Sequence, residues 1–335
     1  MAQRPRQIRI QRFGNTDLQV SEFGLGCARI GGIFKRDPRE FVDLLSAAFD
    51  AGITFFDTSD LYSQGESERL IGNAFRRRRD RVVIASKAGY TLPSQRKLIA
   101  RIKPLVRPVI RLLGLSRHRL PGVVSGSLSQ DFSPAHLQKA IEGSLRRLRT
   151  DHLDLYQLHS PPTSIVTAGE WVETLEALKR QGKIRYYGVS VDSPEAGFAA
   201  LEHAGVSSLQ LSISLLVRDA MPVLPAARAR GVGVIARECL ANGLLVKEAS
   251  QVDIRSYVHS DEEAAAKSAQ IAGYRGVAAE HGCTLTQLAL QFVRRLDGVC
   301  VSLLGASSLE QLNRLLSEGL PQDSCPGPDR IPNLV

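Results

Sequence analysis

Within ITFFDTSDLYSQGESERLIG, residues 53 to 72, the apolar Ile53, Phe55 and Phe56 give way at once to Asp57, Asp60 and Tyr62. Two further ionisable side chains stand in comparable apolar runs, Lys87 in VVIASKAG and His159 in LDLYQLHS. Taken singly, each has an ordinary explanation. Tyr62 can be a half-buried aromatic with a wet hydroxyl, Asp57 a turn or capping carboxylate, Lys87 a snorkelling stem and His159 a satisfied core histidine. Together they suit proton transfer. Flanked by apolar neighbours, Lys87 loses its hydration unless a carboxylate pairs with it, and Asp57 on the adjacent run is the natural partner. A cation beside a phenol favours the phenolate, so the Tyr62 pKa is expected to fall from about 10 toward the working range of a general acid. His159 is then expected to hydrogen-bond a carbonyl oxygen and orient it, and the set would deliver a proton to that oxygen.

Such a set needs rigid elements to hold it. Eight strand-like runs are expected, at 21–26, 53–59, 81–89, 153–160, 184–191, 208–214, 232–238 and 298–306. Amphipathic helical patterns lie between them, among others at 38–52, 66–80, 133–151, 170–183, 193–205 and 284–298. Asp37, Ser133 and Ser193, each directly before a proline, are helix start signals. Eight near-continuous apolar strands, each followed by a helix and with no break in composition, predict an α/β fold. A closed parallel (β/α)8 barrel forming one domain over 1–335 is expected. Ahead of it, RQIRIQRFGNTDLQVSEFG reads as a β-hairpin turning at Gly14-Asn15-Thr16-Asp17 and plugging the barrel bottom. In a barrel of this kind the carboxyl ends of the strands carry the chemistry. GLGCARIGG superficially suggests a dinucleotide fingerprint, but its spacing is wrong for G-x-G-x-x-G, and no open sheet is required.

The ionisable cluster also spells motifs. D-T-[AS]-x-x-Y stands as Asp57-Thr58-Ser59-Asp60-Leu61-Tyr62, followed by Gly65-Glu66-Ser67-Glu68 and Leu70-Ile71-Gly72. The lysine strand, the L-D-L-Y-x-x-H strand ending at His159, GKIRYYGVS, Gln210 and the VIARxxLAxGLL run at 234–245 come after them in order. On these residues, from about Ile8 to about Leu316, the chain resembles the aldo-keto reductase superfamily, its bacterial-type members in particular. The resemblance implies a barrel enzyme in which NADPH or NADH delivers hydride to an aldehyde or ketone, or the reverse oxidation of an alcohol. By motif position Tyr62 is the acid, Lys87 and Asp57 its tuning pair, and His159 the partner of the substrate oxygen. Ser190 and Gln210 hold the nicotinamide carboxamide, and Arg237, Leu240, Gly243, Gly305, Ser307 and Gln311 complete the cofactor site.

The chain departs from the family pattern in places. Val191 stands where Asn often follows the GVS serine. Arg237 replaces the tyrosine that many members stack on the nicotinamide, and its planar guanidinium can also stack. Members that bind the 2′-phosphate of NADPH use a Lys-Ser-x-x-x-x-Arg-like set, where this chain has Gly305 and Gln311, leaving Ser307, Ser308 and Arg314 to meet a dianion. The family favours NADP(H), and the missing cations raise NAD(H) to nearly equal standing.

The formal charge is +9, from 43 basic residues against 34 acidic ones, and it is spread too widely to imply nucleic acid by itself. A concentration occurs between Tyr90 and Phe132, where eight Lys or Arg (Arg96, Lys97, Arg101, Lys103, Arg107, Arg111, Arg117 and Arg119) face one acid, Asp131. This long basic insert after the third strand reads as a lid over the barrel mouth, or as a surface for an anionic lipid, an acidic carrier protein or a phosphorylated substrate. The five cysteines are scattered with no C-x-x-C pair, so neither a disulfide framework nor a metal site is expected. No run reaches the roughly 18 apolar residues of a membrane span and none resembles a signal peptide, which makes the expectation cytoplasmic. A tail over 319–335 lacks helix or strand pattern, with draping over the mouth or mobility as its alternatives. Competing with the enzyme is a cofactor-binding regulatory subunit of the same fold that uses the basic insert for interaction.

Overall fold

The computed structural model describes residues 8–31, 37–91, 128–246, 254, 258, 260–320 and 324–334. Two short strands open the chain, β1 (Ile10–Arg12) and β2 (Gln19–Ser21), paired antiparallel with Ile10 opposite Ser21. The barrel strands β3 (Phe23–Gly26), β4 (Phe55–Asp57) and β5 (Val83–Ala88) follow. A two-stranded antiparallel ladder, β6 (Tyr90–Thr91) with β7 (Ser129–Gln130), comes next. The barrel then resumes with β8 (Leu153–His159), β9 (Ile184–Ser190), β10 (Ser208–Ser212), β11 (Gly233–Arg237) and β12 (Val299–Leu304).

The order β3-β4-β5-β8-β9-β10-β11-β12 closes on itself, so the fold is the eight-stranded α/β barrel that the sequence predicts. Every neighbouring pair in it is parallel. All eight expected runs supply a strand, each shorter than its apolar run because the ladder ends before the apolar residues do. The three proline-marked helix starts also form as expected. Asp37 caps the helix Pro38–Asp50 by accepting from Arg39 N, Ser133 caps Pro134–Leu148 through His136 N, and Ser193 caps Pro194–Leu201 through Ala196 N. The first of these helices buries Phe41, Leu44, Leu45 and Ala48, the i, i+3, i+4, i+7 face turned to the strands.

The hairpin does plug the bottom. Phe13, Leu18 and Val20 are buried in one cluster with Phe55, Val83, Ala85, Leu155, Ile235, Val301 and Leu303 from the barrel interior. Phe13 and Phe55 stack with centroids 6.2 Å apart. Gly14 has φ +52, and a Cβ there would meet Gly231 O and Gly233 N at 2.5 Å. Only glycine fits this turn, and Asn15 N donates to Gly231 O at 2.7 Å beside it.

The core of the basic insert, 92–127, lies outside the described residues, and only its flanks appear, as β6 and β7. Of the tail over 319–335, residues 319, 320 and 324–334 are described, and none of these lines the cavity. Residues 324–334 dock on the helical shell, with Ile331 buried, Arg218 donating to the carbonyls of Ile331 and Pro332, and Leu334 N donating to the Tyr274 hydroxyl at 3.2 Å. The helix Asp261–Glu280 is absent from the expected patterns because it buries only Ile271, Tyr274 and Ala278, too few to mark an apolar stripe. Among the described residues no helix is long and apolar enough to cross a membrane.

Candidate active site

Parallel pairing brings the motif residues to the same end of the barrel. Asp57 is the last residue of β4, Lys87 lies near the end of β5, and His159 closes β8. Tyr62 follows β4 in a short 3-10 turn, Tyr62–Gly65, where Ser63 and Gln64 both adopt left-handed backbone. All four converge as expected.

Lys87 is fully buried, and its ammonium donates to Asp57 Oδ1 at 2.6 Å, Asp57 Oδ2 at 2.7 Å and the Thr58 carbonyl at 3.0 Å. Burial works to lower the Lys87 pKa, but the charge and hydrogen bonds of Asp57, with Tyr62, outweigh it and the net direction is up. Lys87 is therefore a fixed cation. Its Nζ lies 5.2 Å from the centroid of the Tyr62 ring.

The expectation for Tyr62 is reversed in sign. Burial pushes its pKa above the ordinary phenol value, Asp57 adds to that push, and the opposing pull of Lys87 does not overcome it. A buried phenolate gives up more hydration than one neighbouring cation restores, so the group stays a phenol. A proton donor needs that state. His159 is driven the other way, down to about 3, first by burial and then by the charges of Lys87 and Arg237. It is a neutral imidazole, packed edge-on against Tyr62 at 5.7 Å and Tyr90 at 5.0 Å between ring centroids.

Gln210 joins the set by donating from Nε2 to Asp57 Oδ1 at 2.8 Å, and its Oε1 accepts from Ser190 Oγ at 3.2 Å. These two sequence-expected cofactor residues thus form a hydrogen-bonded chain onto Asp57. One cavity of about 520 Å³ is lined by Asp57, Tyr62, His159, Ser190, Gln210, Arg237, Leu240, Gly243, Gly305, Gln311 and Arg314. Ser307 is not in its wall, although its N–H and hydroxyl both donate to Gln311 Oε1, at 2.9 and 3.0 Å. Arg237 is held by Asp192 and by the Val191 carbonyl at 3.3 Å, while its Nε is buried with no partner. Next to it the non-glycine residues Glu238, Ala241 and Asn242 all have positive φ, a concentration of unfavourable backbone beside the cavity.

The donor set suits a dinucleotide. A carboxamide-sized polar pair, a planar cation and the start of the helix Leu309–Gly319, capped by Ser308, line one trough. Residues that the sequence reading gave no role are Tyr90, which packs on His159, and Ser59 and Asp60. The last two sit inside the recognised motif, but no spacing rule could connect them to a histidine 100 positions away.

Known proteins carry the same pattern. The model of the aldo/keto reductase family matches residues 22–323. An uncharacterized oxidoreductase, YqkF, of Bacillus subtilis is 29% identical over 313 residues, covering 91% of this chain and 89% of its own. The solved structure of aldo-keto reductase AKR11C1 from Bacillus halodurans in its holo form superposes with a TM-score of 0.76 at 27% identity, covering 94% of this chain and 92% of that one. That of the glycerol dehydrogenase AKR11B4 from Gluconobacter oxydans gives 0.74 at 25% identity, covering 93% and 90%. The buried Asp57–Lys87 pair beside Tyr62 and His159, at the carboxyl ends of a closed parallel barrel, thus sits in a chain matched along most of its length, and this chain belongs to the aldo/keto reductase family of oxidoreductases.

Proposed function

We propose that the chain reduces a small aldehyde or ketone to its alcohol, or runs the reverse oxidation, with a nicotinamide dinucleotide and with Tyr62 as general acid. The observation that carries this reading is the single cavity into which a protonated phenol, a neutral imidazole and the Ser190–Gln210 pair all open. When bound, NADPH or NADH would supply the hydride. Ser190 and Gln210 would hold the carboxamide, Arg237 would lie against the ring, and Gly305, Gln311 and Arg314 would meet the phosphates.

The protein's own residues then act on the substrate oxygen. His159 orients it, and Tyr62 gives up its proton as negative charge develops there. Lys87, kept charged by Asp57, stabilises the phenolate left behind, an interaction that strengthens only as the proton moves. Asp57 works indirectly, by keeping Lys87 charged and placed. Gln311, turned back onto Ser307, offers no cation to a 2′-phosphate, whereas Arg314 does. NADP(H) and NAD(H) are accordingly both accepted, with the cytoplasm as the working compartment.

The test is titration of the purified chain with NADPH and with NADH, followed by turnover of a carbonyl panel. Tyr62→Phe should bind cofactor as the parent does and lose turnover by at least about 100-fold, the range of a missing general acid. Turnover retained in that variant would mean that another group supplies the proton.

A further inference from the structure

His159 is held from behind. Ser59 Oγ stands 3.1 Å from His159 Nδ1, 3.2 Å from Asp60 Oδ1 and 3.2 Å from the Lys87 carbonyl oxygen, and it accepts the Leu61 N–H at 3.1 Å. The Lys87 carbonyl already accepts Asp60 N–H at 3.2 Å. With Nδ1 engaged by Ser59, Nε2 is the ring nitrogen that His159 turns to the cavity it lines.

The Ser59 hydroxyl has one proton and three acceptors in reach, Asp60, His159 Nδ1 and the Lys87 carbonyl, the last of which already accepts the Asp60 N–H. An ionised Asp60 takes it, because an anionic acceptor outcompetes a neutral one. Nδ1 must then carry the hydrogen that points at Ser59 Oγ, and Nε2 faces the cavity as a lone pair. A protonated Asp60 instead donates to Ser59 Oγ, Ser59 donates to Nδ1, and Nε2 carries an N–H. The two states differ by one proton. On ionisation every hydrogen bond in the chain reverses, and the proton leaves at Nε2.

We infer that Ser59 and Asp60 are positioning residues that set the tautomer of His159, so that the cavity meets an N–H donor when Asp60 is protonated and an acceptor when it is ionised. The donor form can hydrogen-bond the substrate oxygen that Tyr62 protonates, whereas the acceptor form leaves that oxygen to Tyr62 alone, a consequence that rests on the oxidoreductase reading above.

The surroundings make both states reachable. Asp60 faces Glu68 and Arg147, and Arg147 is committed to Glu68 at 2.6 Å, as is the Ser86 hydroxyl, also at 2.6 Å. Tyr156, whose hydroxyl is buried without a partner, lies within electrostatic reach of the same two carboxylates. Burial and then Glu68 lift the Asp60 carboxyl to about 7 against the pull of Arg147 and Ser59. His159 faces Lys87, Arg237 and the rings of Tyr62 and Tyr90, and with its pKa down at about 3 it stays neutral while Asp60 titrates. What changes is the nitrogen that bears the hydrogen.

The experiment is nitrogen NMR of the full chain labelled with 15N-histidine, scanned from about pH 5.5 to about pH 8.5, a range that brackets the Asp60 transition. The signals of His159 are identified by their loss in His159→Gln. The expected result is an Nε2–H tautomer dominant at the acid end and an Nδ1–H tautomer dominant at the alkaline end. Ser59→Ala should abolish the inversion, Asp60→Asn should leave a pH-independent tautomer, and far-UV circular dichroism would check that both variants fold. A wild-type tautomer that does not change over the scan would overturn the inference, as would an inversion that survives in Ser59→Ala. The scan needs no substrate. If no carbonyl were turned over, the oxidoreductase reading alone would fall and the tautomer result would stand.

Discussion

The Asp57–Lys87 pair shows how far residue chemistry alone reaches. A lysine inside an apolar strand demands a carboxylate, and the neighbouring run offers one natural candidate, so this contact was legible in the sequence. Its energetic consequence can be measured. Lys87→Met leaves the Asp57 carboxylate buried against Gln210 only and should cost about 3–5 kcal/mol in urea unfolding, while the same change in an Asp57→Asn background should cost clearly less. Tyr62 was legible in identity but not in sign, because the sequence shows the neighbouring cation and hides the extent of burial. Asp60 makes a pH statement. Its folded-state pKa, about 7, lies above the ordinary carboxylate value of 3.8, so the native state holds a proton that the unfolded chain releases. Stability should therefore fall as pH rises from about 4 to about 7 and level off beyond, and Asp60→Asn should flatten that slope in urea midpoints taken across the range.

Among elements, the strands were easiest to read, since a parallel barrel strand is buried on both faces and shows as an unbroken apolar run. Helices were legible where a Ser or Asp precedes proline and an apolar stripe follows, and illegible where they lie on the periphery, as over Asp261–Glu280. The hairpin turns a local signal into a global contact. Phe13→Ala would empty the barrel floor and should cost about 3–5 kcal/mol. Gly14→Ala forces both a left-handed alanine and a clash with the Gly231 carbonyl, and should cost about 2–4 kcal/mol, both values read from denaturant midpoints at unchanged m.

For the molecule as a whole, the proposed function makes the cavity a link between stability and nucleotide. Because its wall draws on β4, β8, β9, β10, β11 and the loops beyond them, a dinucleotide bound there favours the folded barrel over the unfolded chain. At 100 times its dissociation constant, NADPH should add about 2.7 kcal/mol and raise Tm measurably, and NADH should do the same if Gln311 leaves the choice open. Gln311→Arg should then widen the difference between the two midpoints in favour of NADPH. The ladder of β6 on β7 carries a different implication. Tyr90 pairs with Gln130 and Thr91 with Ser129, Gln130 donates to the Ser160 carbonyl at 2.7 Å, and Tyr90 lies against His159. Both ends of the segment between them are thus clipped together beside the candidate active site, and the length of that segment costs the barrel little, since doubling a loop adds only about 0.6 kcal/mol of closure entropy. The position is one where the length of the chain can vary at the cavity mouth while the frame around the cavity stays as it is.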